Sequence, residues 1–363
     1  MSAVGTIMRM GTIMATLTAI LTTMTTKTTT SRTISPKAAV LDTALINDYA
    51  HCELCPRRCG VNRVTALNAE GGAGVGFCGA SDTMKVARIA LHFWEEPPIS
   101  GDSGSGCVFF SHCSLGCVYC QNRYISRGGH GREYSIDELA CAMVDLQAQG
   151  ALNINLVTPT HFAPSARASV LRARELGLHL PIVWNTSGFE TVEQVRANRG
   201  VVDVYLSDFK YADAALGAAL SRVKDYPLAA IEALREMVAC AGELKCDEYR
   251  AQTRLIGGVI MRHMLLPGHL DDSKRVLKML YSEFGDSIAY SIMNQYTPVL
   301  NTDAEGGDAF AARALAQHPE LAHAVSTQEY EALLDFADEL GIEDYFWQEG
   351  AAMSESFIPD FME

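Results

Sequence analysis

Between residues 107 and 292 short apolar runs alternate with helical segments, and this alternation constrains the fold more than any other feature of the chain. The runs are Cys107–Phe110, Asn153–Val157, Leu180–Trp184, Val201–Leu206, Thr253–Ile260 and Ile288–Ile292. Parallel strands cannot be joined by a tight turn and need a crossover, usually a helix, so the pattern predicts an α/β fold with a parallel sheet. The helices carry their own start and stop signals. Ser135 with Glu138 forms a capping box, Gly150 ends that helix at Gln149, and Thr191 with Gln194 opens another. Further helical segments are expected over 164–176, 212–241 and 273–284. Lys85–Phe93 reads as an earlier strand, and Pro97 with Pro98 makes the stretch after it a connecting loop, whose Glu95 and Glu96 read as solvated carboxylates in preference to ones turned to the active site.

Each core run ends in polar residues. After the first come three cysteines; then Thr158 and His161, Asn185 and Ser187, Asp208 and Lys210, Arg262 and His263, and Asn294, Gln295 and Tyr296. In a parallel barrel the C-terminal ends of successive strands converge on one face, where the active sites of such folds lie. Asp208 and Lys210 are two apart, so they share a face if the strand persists, and their charges are complementary. His263 and His269 read as hydrogen-bonded bystanders.

The loop after the first core run is S-H-C-S-L-G-C-V-Y-C-Q-N, with Cys113, Cys117 and Cys120 spaced C-x3-C-x2-C. Three thiolates this close can ligate three irons of one [4Fe-4S] cube and leave the fourth iron open. An open position is the mark of a reactive metal site rather than a structural one. A zinc knuckle or three incidental buried cysteines are the plainer alternatives. With the aromatic Tyr119 in place, the loop resembles the radical S-adenosylmethionine (radical SAM) signature C-x3-C-x-Φ-C, and Asn122 resembles the residue that follows the third cysteine in the glycyl-radical-enzyme activases.

That resemblance, to a pyruvate formate-lyase activating enzyme-like family, implies a partial (βα)6 TIM-type barrel over 101–300. It implies a [4Fe-4S] cluster on Cys113, Cys117 and Cys120, and S-adenosylmethionine near Tyr119, Asn122, Asp208, Lys210 and Arg262, with Thr158 a further candidate from its place at a strand end. Asp208 and Lys210 in S-D-F-K-Y match the activase D-x-K pattern, and Arg262 in V-I-M-R-H-M matches an arginine that approaches the methionyl carboxylate. The implied activity is reductive cleavage of S-adenosylmethionine to a 5'-deoxyadenosyl radical that abstracts hydrogen from a substrate: a glycine of a partner glycyl radical enzyme, a small molecule, or another protein to be modified. The implied electron donor is a flavodoxin or ferredoxin. One departure stands out: where the superfamily carries G-G-E after the second strand, this chain has Thr158, Pro159, Thr160 and His161. The rival reading is a non-catalytic iron-sulfur or zinc protein for electron transfer or scaffolding.

Composition narrows the setting. Seven of the eleven cysteines fall into two short-spaced groups, which reads as metal ligation in a reducing, cytoplasmic compartment rather than as disulfides. Cys107, Cys141, Cys240 and Cys246 read as small core residues. The second group is Cys52, Cys55, Cys59 and Cys78 in C-E-L-C-P-R-R-C and G-F-C-G, a small four-cysteine metal-binding segment within 41–100 that suits zinc or a second iron-sulfur cluster. A formal charge of -14 argues against a nucleic-acid partner, and no apolar run is long enough to span a membrane. Residues 1–40 contain no Asp or Glu and repeat G-T-I-M, and they read as a disordered extension; 301–363 reads as a helical and tail region with a familial ending.

Overall fold

The computed structural model describes residues 6–8, 47–64, 76–299 and 308–348. Eleven strands form one sheet among these residues: β1 (Thr6–Met8), β2 (Met84–His92), β3 (Ser105–Phe110), β4 (Arg132–Tyr134), β5 (Ile154–Val157), β6 (Ile182–Thr186), β7 (Val204–Asp208), β8 (Lys245–Tyr249), β9 (Gln252–Met264), β10 (Ala289–Met293) and β11 (Tyr345–Gln348). From β3 through β5, β6, β7, β9 and β10 to β11 each neighbouring pair is parallel. The class is therefore α/β with a mostly parallel central sheet, wound in one direction. Antiparallel strands bound it, with β2 and β4 beyond β3, β1 beyond β11, and β8 folded back on β9.

The six expected runs become β3, β5, β6, β7, β9 and β10 with shifted ends. Val201 and Val202 belong to a turn, both amides bonding Asn198 O, so β7 begins at Val204. β9 is longer than its apolar run because its first half pairs with the half-exposed β8 through Arg250 and Ala251, both at positive φ (53° and 58°). Such a two-residue turn matches the right-handed twist of a hairpin. The capping box on Ser135, the left-handed Gly150 and the Thr191 cap all form as expected. The 212–241 segment splits into Ala214–Ser221 and Tyr226–Ala241, broken by the left-handed Arg222.

Alternation along the strands separates two faces. Ile182, Trp184, Tyr205, Val259, Met261 and Tyr290 join the large core under the helices. Val183, Val204, Leu206, Ile260, Ala289 and Phe346 pack on the other face around Ile99. Ile99 corrects an expectation: Pro97 and Pro98 do not prolong a loop but open the one-turn helix Pro97–Ser100, since proline fits a first helical turn. Cys107 is in the core, whereas Cys141 is exposed on its helix, because Leu139, Ala140 and Met143 take the inward positions.

Thr6–Met8 pairs backbone to backbone with β11, Thr6 opposite Gln348, although 1–40 shows no core pattern. The rest of that extension, and the tail beyond residue 348, lie outside the described residues. β11 extends the sheet past residue 300. No helix of the described residues is long and apolar enough to cross a membrane.

Candidate functional site

The loop after β3 begins with His112 at φ 73°, a conformation its side chain disfavours. It is held there from both sides: its amide donates to Ile125 O, and its Nδ1 lies 3.1 Å from Cys78 O. Gly116 has φ 71°, a backbone conformation that favours glycine, and its carbonyl accepts from Arg127 Nη2. The loop so fixed turns Cys113, Cys117 and Cys120 into a cavity of about 270 Å³. Each sulfur accepts a hydrogen bond: from Leu115 N (3.4 Å), Ser221 Oγ (3.1 Å) and Ser126 Oγ (3.5 Å) respectively. Burial pushes the Cys113 thiol up and the Cys120 thiol up to about 11, since a thiolate there lacks water. Tyr119 and Ser221 both bond the Tyr211 hydroxyl, which ties the aromatic of the loop to the Cys117 donor.

The opposite wall comes from the strand ends. Thr158, Asn185, Ser187, Asp208, Lys210, Arg262 and Gln295 all line the cavity. Four of the expected strand-end residues do not. His161 turns toward the second cysteine group, His263 Nδ1 bonds Phe209 O at 2.6 Å, the Asn294 amide bonds Gln348, and the Tyr296 hydroxyl donates to Leu321 O. For His263 the cause is strand parity, since β9 persists to Met264 and puts Arg262 and Met264 on one face and His263 on the other.

Lys210 Nζ lies 2.5 Å from Asp208 Oδ2, both only partly exposed. Burial alone would lower the Lys210 pKa, but the Asp208 carboxylate and its other neighbours outweigh it and the ammonium is held charged. The Tyr226 hydroxyl accepts from Lys210 N and contacts Ser187 O and Asp208 O, which joins the ends of β6 and β7. Thr158 has φ 58°, a genuine outlier for a β-branched residue and one placed on the cavity wall. Asn122, another wall residue, keeps its buried Oδ1 without a hydrogen-bond partner.

Glu95 and Glu96 overturn the solvent-facing expectation. Arg262 Nε donates to Glu96 Oε1 at 2.8 Å, and Arg262 Nη2 bonds both Glu95 and Glu96. Asn155 and Asn185 donate to Glu95 Oε1 at 2.8 and 3.3 Å. Burial would raise the Glu96 carboxyl, but the Arg262 guanidinium holds it below its ordinary value. Two carboxylates on one guanidinium leave this end of the cavity with an excess of negative charge, and Glu95 lines it. No sequence signal pairs residues 95 and 262, whereas the strand parity that places Met264 and Met293 on the wall was available.

Of the four residues that replace G-G-E, only Thr158 faces the cavity. Thr160 Oγ1 donates to the fully buried Glu190, which also accepts from Trp184 Nε1 and Thr186 Oγ1. Burial raises the Glu190 pKa against the pull of these donors. His161 donates from Nε2 to Ser111 O at 2.7 Å, and burial, then Arg63, lowers its pKa to about 3, so it is neutral.

Cys52, Cys55, Cys59 and Cys78 meet around a cavity of only about 10 Å³, closed by Arg57, Arg63, Phe77 and His161. Arg63 is 1% exposed and donates to Ala80 O, Ser81 O and Cys52 Sγ. Arg57 stacks on Phe77 and reaches out of the segment to Ser114 O (2.6 Å), Leu115 O (3.0 Å), Ser221 O (3.1 Å) and Arg222 O (3.4 Å). The Arg57 guanidinium, together with the His112–Cys78 contact, therefore binds the two cysteine groups to each other.

No protein-family model matches the chain. A Methanocaldococcus jannaschii protein described as uncharacterized is 28% identical over 306 residues, which is 82% of this chain and 77% of that protein. Among solved structures, the crystal structure of Streptococcus suis SuiB bound to precursor peptide SuiA aligns with a TM-score of 0.40 at 10% identity. The alignment covers 63% of this chain and spans 44% of that chain, an overlap too loose to carry an inference.

Proposed function

We propose that this chain is a radical SAM enzyme, with a [4Fe-4S] cluster on Cys113, Cys117 and Cys120 and S-adenosylmethionine in the strand-end cavity, on a partial TIM-type barrel. The observation that carries this reading is the meeting, around one cavity, of the three cysteines and polar side chains from the ends of β5, β6, β7, β9 and β10. When bound, the reduced cluster and S-adenosylmethionine supply one-electron cleavage of a carbon-sulfur bond and hydrogen abstraction.

The residues of the chain bind and orient. Lys210 and Asp208 offer a cation and an anion side by side, for the methionyl carboxylate and the ribose hydroxyls. Asn122 Oδ1 is a buried acceptor on the wall, suited to a hydroxyl donor. Glu95 is the anion for the ammonium, on the side where G-G-E is missing. Arg262 then acts by holding Glu95 and Glu96 in place, a different task from meeting a carboxylate itself. The net negative charge of this end suits a ligand that carries both an ammonium and a sulfonium. Trp94, Phe109, Met264 and Met293 supply apolar wall and keep water from a reactive species.

The resemblance to the activases supplies a finer reading, in which the hydrogen donor is a glycine α-carbon of a partner glycyl radical enzyme and a flavodoxin or ferredoxin supplies the electron. Deuterium moving from an α-deuterated glycine of such a partner into 5'-deoxyadenosine is the result expected. The primary test is anaerobic cluster reconstitution, then dithionite and S-adenosylmethionine, with 5'-deoxyadenosine and methionine as readout. A full complement of iron and sulfide with neither product overturns the enzyme and leaves a non-catalytic iron-sulfur protein.

A further inference from the structure

His269, His318 and Glu320 bring two imidazoles and a carboxylate together at a place that none of the roles above uses. His269 follows β9 in L-P-G-H and starts the helix Leu270–Phe284. His318 ends the helix Ala309–Gln317, and Glu320 lies in the turn Pro319–Ala322. Glu320 Oε1 is 3.1 Å from His269 Nε2 and 3.4 Å from His318 Nδ1, and the three ligand atoms all lie within 4.8 Å of one another. A tetrahedral ion with ligands at about 2.0–2.1 Å spaces them about 3.3 Å apart, so both pairs already have the separation an ion needs.

A salt bridge or hydrogen-bonded triad is the plainer account of such a group, and one atom speaks against the hydrogen-bonded form. His269 Nε2 is buried and, despite its closeness to Glu320, has no hydrogen-bond partner. A buried imidazole nitrogen left this way is costly unless something else satisfies it. The preceding residue also fits the carboxylate: Gly268 has φ 75°, and a Cβ there would lie 2.6 Å from Glu320 Cγ. Side-chain exposures of 13%, 20% and 32% for His269, His318 and Glu320 leave the group open to solvent on one side.

We propose that His269, His318 and Glu320 bind a divalent transition-metal ion, zinc by donor chemistry, with water in the fourth position. Imidazole with one carboxylate suits zinc, whereas calcium and magnesium take oxygen ligands. The ion joins the loop after β9 to the segment around residue 320. That segment reaches the cysteine loop through Tyr296, whose hydroxyl donates to Leu321 O and whose ring centroid lies 6.1 Å from that of Tyr119. The bound ion therefore braces the wall behind Tyr119. This proposal stands whether or not the cavity binds S-adenosylmethionine.

The test is zinc titration by calorimetry on the full-length, cluster-reconstituted protein, together with His318→Ala and Glu320→Gln. The native chain is expected to bind one zinc ion that both variants bind at least tenfold more weakly, with iron content and circular dichroism unchanged. X-ray absorption at the zinc edge of the native protein is expected to show nitrogen and oxygen neighbours, and it decides the matter alone if a variant fails to fold. Equal zinc binding by native and variant proteins overturns the site. So does a zinc shell made of sulfur, which would place the ion at Cys52, Cys55, Cys59 and Cys78.

Discussion

Cys113, Cys117 and Cys120 look into about 270 Å³ shared with charged strand-end residues, whereas Cys52, Cys55, Cys59 and Cys78 surround about 10 Å³ under two arginines and a phenylalanine. The sequence spacings of the two groups are similar; the surroundings differ. A closed site has no room for a substrate and works by holding chain segments together, while an open one leaves space beside the metal. Here the closed group also supports the open one, because Arg57 bonds the carbonyls of Ser114 and Leu115 inside the C-x3-C loop.

The largest expected contrast is between Cys117→Ala and Cys55→Ala. If the proposed function holds, the first removes a ligand of the open site and is expected to take S-adenosylmethionine cleavage to background, a greater loss than the roughly ten- to hundredfold typical of outer-shell changes. The second is expected to retain cleavage per folded molecule and to lower the melting temperature, because a metal held by that group would contribute folding energy. Undiminished turnover in the Cys117 variant would remove the ligand assignment. Metal analysis sharpens the same contrast: in a Cys113/Cys117/Cys120 triple alanine variant that also carries His318→Ala, the retained zinc or iron identifies the occupant of the closed group. In the native protein that metal is expected to outlast the open-site iron under EDTA in air, and loss of both at one rate would contradict the difference in enclosure.

A smaller effect is expected at the link between the groups. Arg57→Ala leaves four carbonyls without their donor and costs about 3 kcal/mol, measured by urea unfolding, as charged hydrogen bonds of this kind are worth. Arg57→Lys is expected to recover less than half, since an ammonium cannot match the guanidinium fork. A lysine variant as stable as the native chain would reduce Arg57 to a point charge. The smallest effect concerns Glu190, which ties Thr160 and Thr186 behind the open site. Its folded pKa lies above the ordinary 4.5, so its contribution is favourable below that pH and is lost as pH rises through the folded value. Glu190→Gln keeps an acceptor at Oε1 and is expected to gain on the native chain in melting temperature between about pH 4 and pH 7. A difference that does not vary with pH would show that the carboxylate is not the titrating group.

The core strands, their parallel class and the polar strand ends were legible in the sequence because they follow from periodicity and from the crossover rule. The cysteine spacing likewise placed Cys113, Cys117 and Cys120 on one wall. The edges were harder to read: β8, K-C-D-E-Y, is half-exposed and charged, and β4 and β11 have only three and four residues. Long-range pairing was invisible. Glu95 and Glu96 acquire their partner 166 or 167 residues later, and nothing local distinguishes them from solvated loop carboxylates. His161 was misplaced for a related reason, since a short 3-10 turn after Thr158 rotates it away from its strand.

The reach of Arg57 also bears on when the protein becomes competent during synthesis. Its partners lie 57, 58, 164 and 165 residues downstream, so the cysteine loop cannot acquire its final support until the segment around Ser221 and Arg222 has left the ribosome. Contacts that distant form late and slowly. A nascent chain truncated before residue 221 would carry all seven clustered cysteines without that fixed geometry, so full cluster loading is expected only after more than half of the protein has been made.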